Sequence, residues 1–476
     1  MPLRLRRTAG VVAVTVALVA PLAGPTAVAG AATHFTHGAA GVGDPYFPLE
    51  GNGGYNVGHY TLDLHYLPSS HYLSGVAHIT ARATQNLSRF DLDLSGMHVR
   101  SIVVNGAHAR WHRRGQELQI TPRHGLRRGH RFHAAVSYAG SPRTITGSPV
   151  VFGADYGWQY TPDGAFVGDE PNAAHTWFPS DDHPSDKATY TFHITVPRGR
   201  QVVANGNLQH HRTTRHSSVW TWHETSPMAT YLATIDIGKW KFRFGHTPGG
   251  IRETMAVDPH LAKQASSDKV FALTGAITDY WSKTFGRYPF TSTGAIVDNV
   301  PDVGFSLETQ TRPLYGFSPD PTTMSHELSH QWFGDSVSVA TWRNIWLNEG
   351  FATFAEQLWA EHTGGPSTYS YFSQLFAKIP ASDGFWHQAI ADPKRNTMFS
   401  SAVYSRGGMT LAALRHRIGD AKFFTLLRTW TAQHRYSVAT TAQFVTLAQK
   451  VSGQNLTTFF RIWLSTQSKP TSFNAG

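Results

Sequence analysis

The sequence predicts a multidomain α+β chain in which an antiparallel β domain packs on a second, mainly helical domain. Hydrophobic residues alternate with a period of two through the first half and recur at helical spacing through the second. Of the 476 residues, 41% are hydrophobic and 12% aromatic, enough for more than one large core.

The first half shows the strand period plainly. Tyr60, Leu62, Leu64 and Tyr66 alternate with Thr61, Asp63 and His65. Phe90, Leu92 and Leu94 repeat the pattern, as do Tyr190, Phe192, Ile194 and Val196. Asn105-Gly106 and Asn205-Gly206 are hairpin-type turn signals. These features place the β domain at 56–243. Residues 30–55, rich in Gly, Ala and Pro, are expected to form a flexible lead-in.

The helical domain spans 244–476. Asp258-Pro259 opens a helical stretch running to about Phe285, where Gly286 and Pro289 end it. Further helices are expected near 321–333, 347–362, 367–378, 407–417, 420–433, 441–451 and 455–465, with strand around 293–310. No Pro/Ser linker separates the halves, so close packing is expected.

Residues 1–29 read as an export signal. Arg4, Arg6 and Arg7 precede an apolar run from Ala9 to Leu22, and Ala27-Val28-Ala29 suits cleavage, with Ala31 or Ala32 as other options. The run is short for a bilayer span, although an uncleaved anchor is the competing reading. The expectation is a secreted, extracellular protein without stable membrane insertion after cleavage. Removal of the segment takes the net charge from +10 to +7.

Composition narrows the chemistry. The absence of cysteine excludes cysteine zinc sites, thiol catalysis and disulfide scaffolds. The basic residues are spread out, with no long block, which argues against a nucleic-acid partner.

The strongest local signal is His326-Glu327-Leu328-Ser329-His330, just after the helix-start pair Asp320-Pro321. On a helix, positions i and i+4 share a face, so both imidazoles can reach one metal. Glu327 lies about 100° around the helix, near enough to hold a water beside that metal. With 27 histidines in the chain, such spacings also arise by accident, so a third ligand is needed. Glu349 follows His330 with eighteen residues between them, at the start of a second amphipathic helix and off its apolar stripe. Two histidines and a carboxylate suit Zn2+, one per chain, with a position left for water.

These residues and their surroundings resemble the aminopeptidase N family of zinc metallopeptidases. Gln331-Trp332-Phe333-Gly334 follows the second histidine, and Trp346-Leu347-Asn348-Glu349-Gly350-Phe351 surrounds the third ligand. Phe285-Gly286-Arg287-Tyr288-Pro289, Met228-Ala229-Thr230-Tyr231-Leu232-Ala233 and Trp177-Phe178-Pro179-Ser180-Asp181-Asp182-His183-Pro184 also resemble family segments, with Ser180 in place of a cysteine. The likeness runs from about 44 to 466. It implies a thermolysin-like catalytic domain at 244–476 and a short family form without the C-terminal helical domain.

The resemblance also assigns roles. Zinc is held by His326, His330 and Glu349, and Glu327 is the general base. Phe305-Ser306-Leu307-Glu308-Thr309 stands where the family has Gly-Ala-Met-Glu-Asn, which makes Glu308 the binder of the substrate's free α-amino group. Glu170 is the second amine anchor, in Gly168-Asp169-Glu170-Pro171, where Gly168 replaces a family glutamine and Asp169 is a rival. Val403-Tyr404-Ser405-Arg406-Gly407 implies that Tyr404 stabilises the developing oxyanion. Glu356, seven residues after Glu349, is a candidate acceptor for a ligand imidazole.

The implied function is hydrolysis of the N-terminal residue from peptides with a free N-terminus. Two other readings use the same residues. The replaced Gly and Asn around Glu308 leave room for a thermolysin-type endopeptidase, and the scaffold could serve a non-enzymatic peptide-binding relative.

Overall fold

The computed structural model describes residues 8–13, 34–261 and 266–476. Apart from 8–13, which have no regular structure, the expected export signal lies outside the described residues.

The first half is built around an eight-stranded sheet. Its strand order is Asn207–Thr213, Ser217–Ala229, Lys187–Pro197, Tyr55–Leu67, Tyr72–Ala83, Arg131–Gly140, His98–Val104 and Ala107–His108. The alternation is realised residue by residue: Tyr60, Leu62, Leu64 and Tyr66 are buried, while Thr61, Asp63 and His65 are only partly covered. All neighbours are antiparallel except Tyr55–Leu67 and Lys187–Pro197, which run parallel with Tyr60 opposite Tyr190. Their rings stack at 5.0 Å. Period-two patterning fixes which face is buried and is silent on strand direction, and more than a hundred intervening residues suffice for a parallel crossover.

The two turn signals behave differently. Asn105 and Gly106 both have positive φ, 49° and 80°, and close a tight hairpin between His98–Val104 and Ala107–His108. Asn205-Gly206 is not a hairpin. It carries the chain from Gln201–Ala204, in a five-stranded sheet, to Asn207–Thr213 in the eight-stranded one. The Asn205 side chain is drawn away from the turn, its Nδ2 donating to Leu232 O at 2.8 Å and Gln310 O at 2.9 Å.

The lead-in at 30–55 also departs from expectation. Thr36–His37 pairs with the strand Leu87–Asp93. Asp44 is buried, with Oδ2 accepting from Trp342 N at 2.8 Å and lying 3.1 Å from His183 Nε2. Phe47 meets the Trp342 ring edge-on at 6.3 Å. His183 belongs to the β domain and Trp342 to the helical one, so this segment clasps the two together. Its Gly and Pro content reflects tight local turns, with Gly41, Gly43, Gly51 and Gly54 all at positive φ.

The second half carries a five-stranded sheet and the expected helices: α1 (Ser266–Thr284), α2 (Pro321–His330), α3 (Trp346–His362), α4 (Thr368–Lys378), α5 (Gly407–Ile418), α6 (Asp420–Gln433) and α7 (Thr441–Ser452). The helix expected at 455–465 is a short α8 (Thr457–Phe460) continued by a π-turn over Arg461–Ser465. Residues 35–476 form one compact unit, in agreement with the missing linker.

Candidate metal centre

Helix α2 presents the paired histidines because both of its ends are fixed. Asp320 caps the start, its Oδ1 accepting from Thr322 N at 2.7 Å and Thr323 N at 3.1 Å. Pro321 occupies the first turn, where its missing N–H costs nothing. Met324 and Leu328 bury the opposite face, so His326, Glu327 and His330 turn toward α3. Helix α3 brings Glu349 in its first turn. Where α3 meets the start of α5, Gly350 and Gly407 let the backbones touch: a Cβ on Gly407 would lie 2.5 Å from Gly350 Cα. That contact sets the π-turn Ala402–Arg406, which carries Tyr404, beside the Glu349 turn.

The three expected ligands converge. His326 Nε2 is 3.3 Å and His330 Nε2 3.6 Å from Glu349 Oε2. Donors about 2.0–2.1 Å from a shared tetrahedral metal stand about 3.3–3.4 Å apart, so these spacings fit zinc. The other ring nitrogens are occupied: His326 Nδ1 lies 2.6 Å from Glu356 Oε1, and His330 Nδ1 lies 2.9 Å from Phe333 O. Such partners orient the rings and leave both Nε2 atoms facing Glu349. Glu356 thus sits where a ligand's supporting acceptor is needed.

Carboxylates crowd this point. Glu308, Glu327 and His330 offer ligand atoms within 4.8 Å of one another, as do Glu170, Glu308 and Glu349. Burial pushes the Glu327 carboxyl up to about 7, against the opposing pull of His326 and His330. Burial, with the charges of Glu308 and Glu349 behind it, holds Glu170 well above the usual range. Glu349 goes the other way, to about 2: burial works against its charge, and His330 and His326 outweigh it. Glu170 Oε1 and Glu308 Oε1 are buried and have no hydrogen-bond partner among the described residues. Such a cluster is stable only with positive charge nearby.

Glu308 directly follows the short strand Ser306–Leu307 and is held by Gln331, whose Nε2 donates to Glu308 O at 3.1 Å. Gln331 Oε1 also accepts from Thr311 N at 2.7 Å, so one side chain ties the Glu308 segment to α2. Asp169, the rival to Glu170, is fully buried and accepts from Trp177 Nε1 at 2.7 Å. It is engaged in the core, which leaves Glu170 facing the site. Tyr404 lies with its ring nearly parallel to His326, centroids 6.0 Å apart. Arg406 anchors that turn, donating to the carbonyls of Gln388, Ile462 and Thr466.

Around the site stand residues that the sequence did not single out. Lys187 crosses from the β domain, Nζ donating to Asp335 O at 2.5 Å and Ser336 O at 3.0 Å, and burial lowers its ammonium to about 7. A pocket of about 290 Å³ opens beside Glu170 and Tyr404, walled by Phe152, Phe305 and Phe399. Phe152 and Phe399 lie far apart in sequence and in no motif, so nothing in the sequence marked them.

A helix-borne His-Glu-x-x-His, a carboxylate from the next helix and a β domain closing over them form a gluzincin-type metal site. The chain belongs to peptidase family M1. Residues 320–463 match the peptidase family M1 domain, and 56–232 match the peptidase M1 N-terminal domain. An M1 zinc metallopeptidase structure from Deinococcus radiodurans superposes with a TM-score of 0.81 at 28% identity, covering 92% of this chain and 100% of that one. A mutant of that enzyme bound to a Tyr-Ser-Ala substrate gives the same TM-score over 90% and 98% of the two chains. Among curated relatives, aminopeptidase N of Streptomyces lividans is 24% identical over 61% of this chain. Glutamyl aminopeptidase of Bos taurus is 26% identical over 71%. The matches span 36% and 38% of those two relatives, so the chain covers little more than a third of their length.

Proposed function

We propose that this chain is a zinc aminopeptidase that removes the N-terminal residue from peptides. The observation that carries the proposal is the pair of unpartnered buried carboxylates, Glu170 and Glu308, next to the ligand triad. A substrate ammonium satisfies both, and a peptide without one leaves them uncompensated. The names of the curated relatives and the peptide held by the Deinococcus enzyme support the same reading.

His326, His330 and Glu349 would hold the zinc, which when bound lowers the pKa of water to about 7 and polarises the scissile carbonyl. Glu170 and Glu308 grip the ammonium and so place the first peptide bond beside Glu327. Glu327 accepts the proton of the attacking water and returns it to the leaving amine; an acidity near neutrality suits both transfers. Tyr404 donates its hydroxyl proton in a hydrogen bond to the developing oxyanion. The basic start, apolar run and small-residue stretch at 1–29 further support export with cleavage near Ala29 to Ala32.

The test is hydrolysis of aminoacyl-p-nitroanilides beside the same compounds with acetylated amines, each with and without a zinc chelator. The expected result is chelator-sensitive cleavage of the free-amine set alone. Equal cleavage of both sets would overturn the amine anchor and point to an endopeptidase.

A further inference from the structure

The pocket beside Glu170 and Tyr404 is shaped by a close fit between Phe305 and Gly168. A Cβ built on Gly168 would stand 3.1 Å from Phe305 Cε2, 3.4 Å from Leu307 Cδ2 and 3.5 Å from Phe305 Cζ. The Phe305 ring therefore fills the space that a side chain at 168 would need. It is braced from behind by Phe166, centroids 6.2 Å apart at 68°. A glycine on the β-domain strand Ala165–Gly168 and a phenylalanine in the catalytic domain are thus matched in size across the cleft.

Much of the rest of the wall is apolar as well. Val151, Tyr156, Leu307 and Phe399 line the pocket with Phe305. At its mouth Phe152 is 64% exposed, and its backbone is held at φ 56°. Left-handed backbone is unfavourable for a bulky residue and persists only where the surroundings enforce it. Here Ser148 O accepts from Gly153 N at 2.8 Å and Val151 N at 3.2 Å, which locks the turn and holds an aromatic ring out at the lip. The only ionisable groups in the lining besides the two tyrosines are carboxylates, Asp155 and Glu170. An anionic guest would meet like charge and no cation.

We infer that Phe305, accommodated by Gly168, sets the specificity of this chain for peptides whose N-terminal side chain is large and apolar or aromatic, and that acidic N-terminal residues are rejected. This inference rests on the aminopeptidase reading. With the ammonium at Glu170 and Glu308, the side chain on the same α-carbon enters the adjoining pocket. There a ring gains edge and face contacts with Phe305, Phe399 and Phe152.

The experiment measures kcat/KM on Phe-, Leu-, Ala- and Glu-p-nitroanilide for the unsubstituted enzyme and for Phe305→Ala, Gly168→Gln and the double variant Gly168→Gln/Phe305→Gly. The unsubstituted enzyme is expected to rank Phe and Leu above Ala, with Glu lowest. Phe305→Ala lowers the Phe-to-Ala ratio by on the order of tenfold, the scale of a lost apolar wall. Gly168→Gln lowers the same ratio by displacing the ring. The double variant recovers activity relative to Gly168→Gln alone, because the clash is gone, and this non-additivity marks direct coupling. Phe305→Leu keeps most of the packing, and thermal midpoints for all variants separate misfolding from altered preference. An unchanged Phe-to-Ala ratio in folded Phe305→Ala, or a preference for Glu in the unsubstituted enzyme, would overturn the inference. Failure to cleave any free-amine substrate would instead remove the aminopeptidase reading beneath it.

Discussion

Glu327 sits one residue from a ligand but outside the His326, His330 and Glu349 set, and burial keeps its proton affinity near neutrality. In the proposed mechanism its role is separable from metal binding. Glu327→Gln preserves volume and is expected to lower kcat by about 10²–10⁴-fold, the usual range for a general base. Zinc content by elemental analysis should stay near one per chain, and loss of zinc would show that Glu327 supports the metal instead. Residue-scale legibility was uneven. The triad was readable because two ligands share one helical turn and the third opens the next helix. Glu308 and Glu170 come from different domains, so no local period joins them, and only family resemblance picked them out. Phe152, Phe305 and Phe399 meet only after three distant segments fold together.

At the scale of single elements, the strand Ser217–Ala229 carries a buried acid, Glu224, inside the β domain. Burial raises its carboxyl to about 7, although its Oε1 accepts from Ser226 N at 2.7 Å. In the unfolded chain the group ionises near 4.5. Between about 4.5 and 7 the folded state therefore holds a proton that the unfolded state has lost, and this group's contribution to stability falls as pH rises through that window. Glu224→Gln removes the titration. Its thermal midpoint relative to the unsubstituted protein should rise between pH 5 and pH 8, measured at fixed zinc; a pH-independent difference would show that Glu224 is not buried with a raised pKa. Element types were largely readable from period and caps, as α2, α3, α6 and α7 show. Partners were not: Asn205-Gly206 looks locally like a hairpin, yet carbonyls at Leu232 and Gln310, distant in sequence, claim its side chain.

For the whole molecule, the seam between domains governs the proposed function, because the proposed amine anchor at Glu170 belongs to one side and the metal triad to the other. Asp44 is a principal fastening of that seam. Asp44→Ala leaves the buried Trp342 N–H without its acceptor, a loss of about 1–3 kcal/mol. The expected result is a thermal midpoint lower by several degrees and a KM for free-amine substrates raised more than kcat is lowered. A variant with unchanged midpoint and KM would show that the clasp is dispensable. Composition misjudged this segment because Gly and Pro favour flexible chain and tight turns alike, and only the burial of Asp44 and Phe47 distinguishes the two.

A chain that trims peptides from the front, as proposed here, carries a front of its own that its sister molecules could attack. The clasp decides how far such mutual erosion can travel. From Thr36–His37 onward the backbone is pinned to the strand Leu87–Asp93, and at Asp44 it disappears into the seam. The fastening that aligns the two halves of the cleft would then also act as a stop, and an ageing preparation is expected to keep the residues from Thr36 onward.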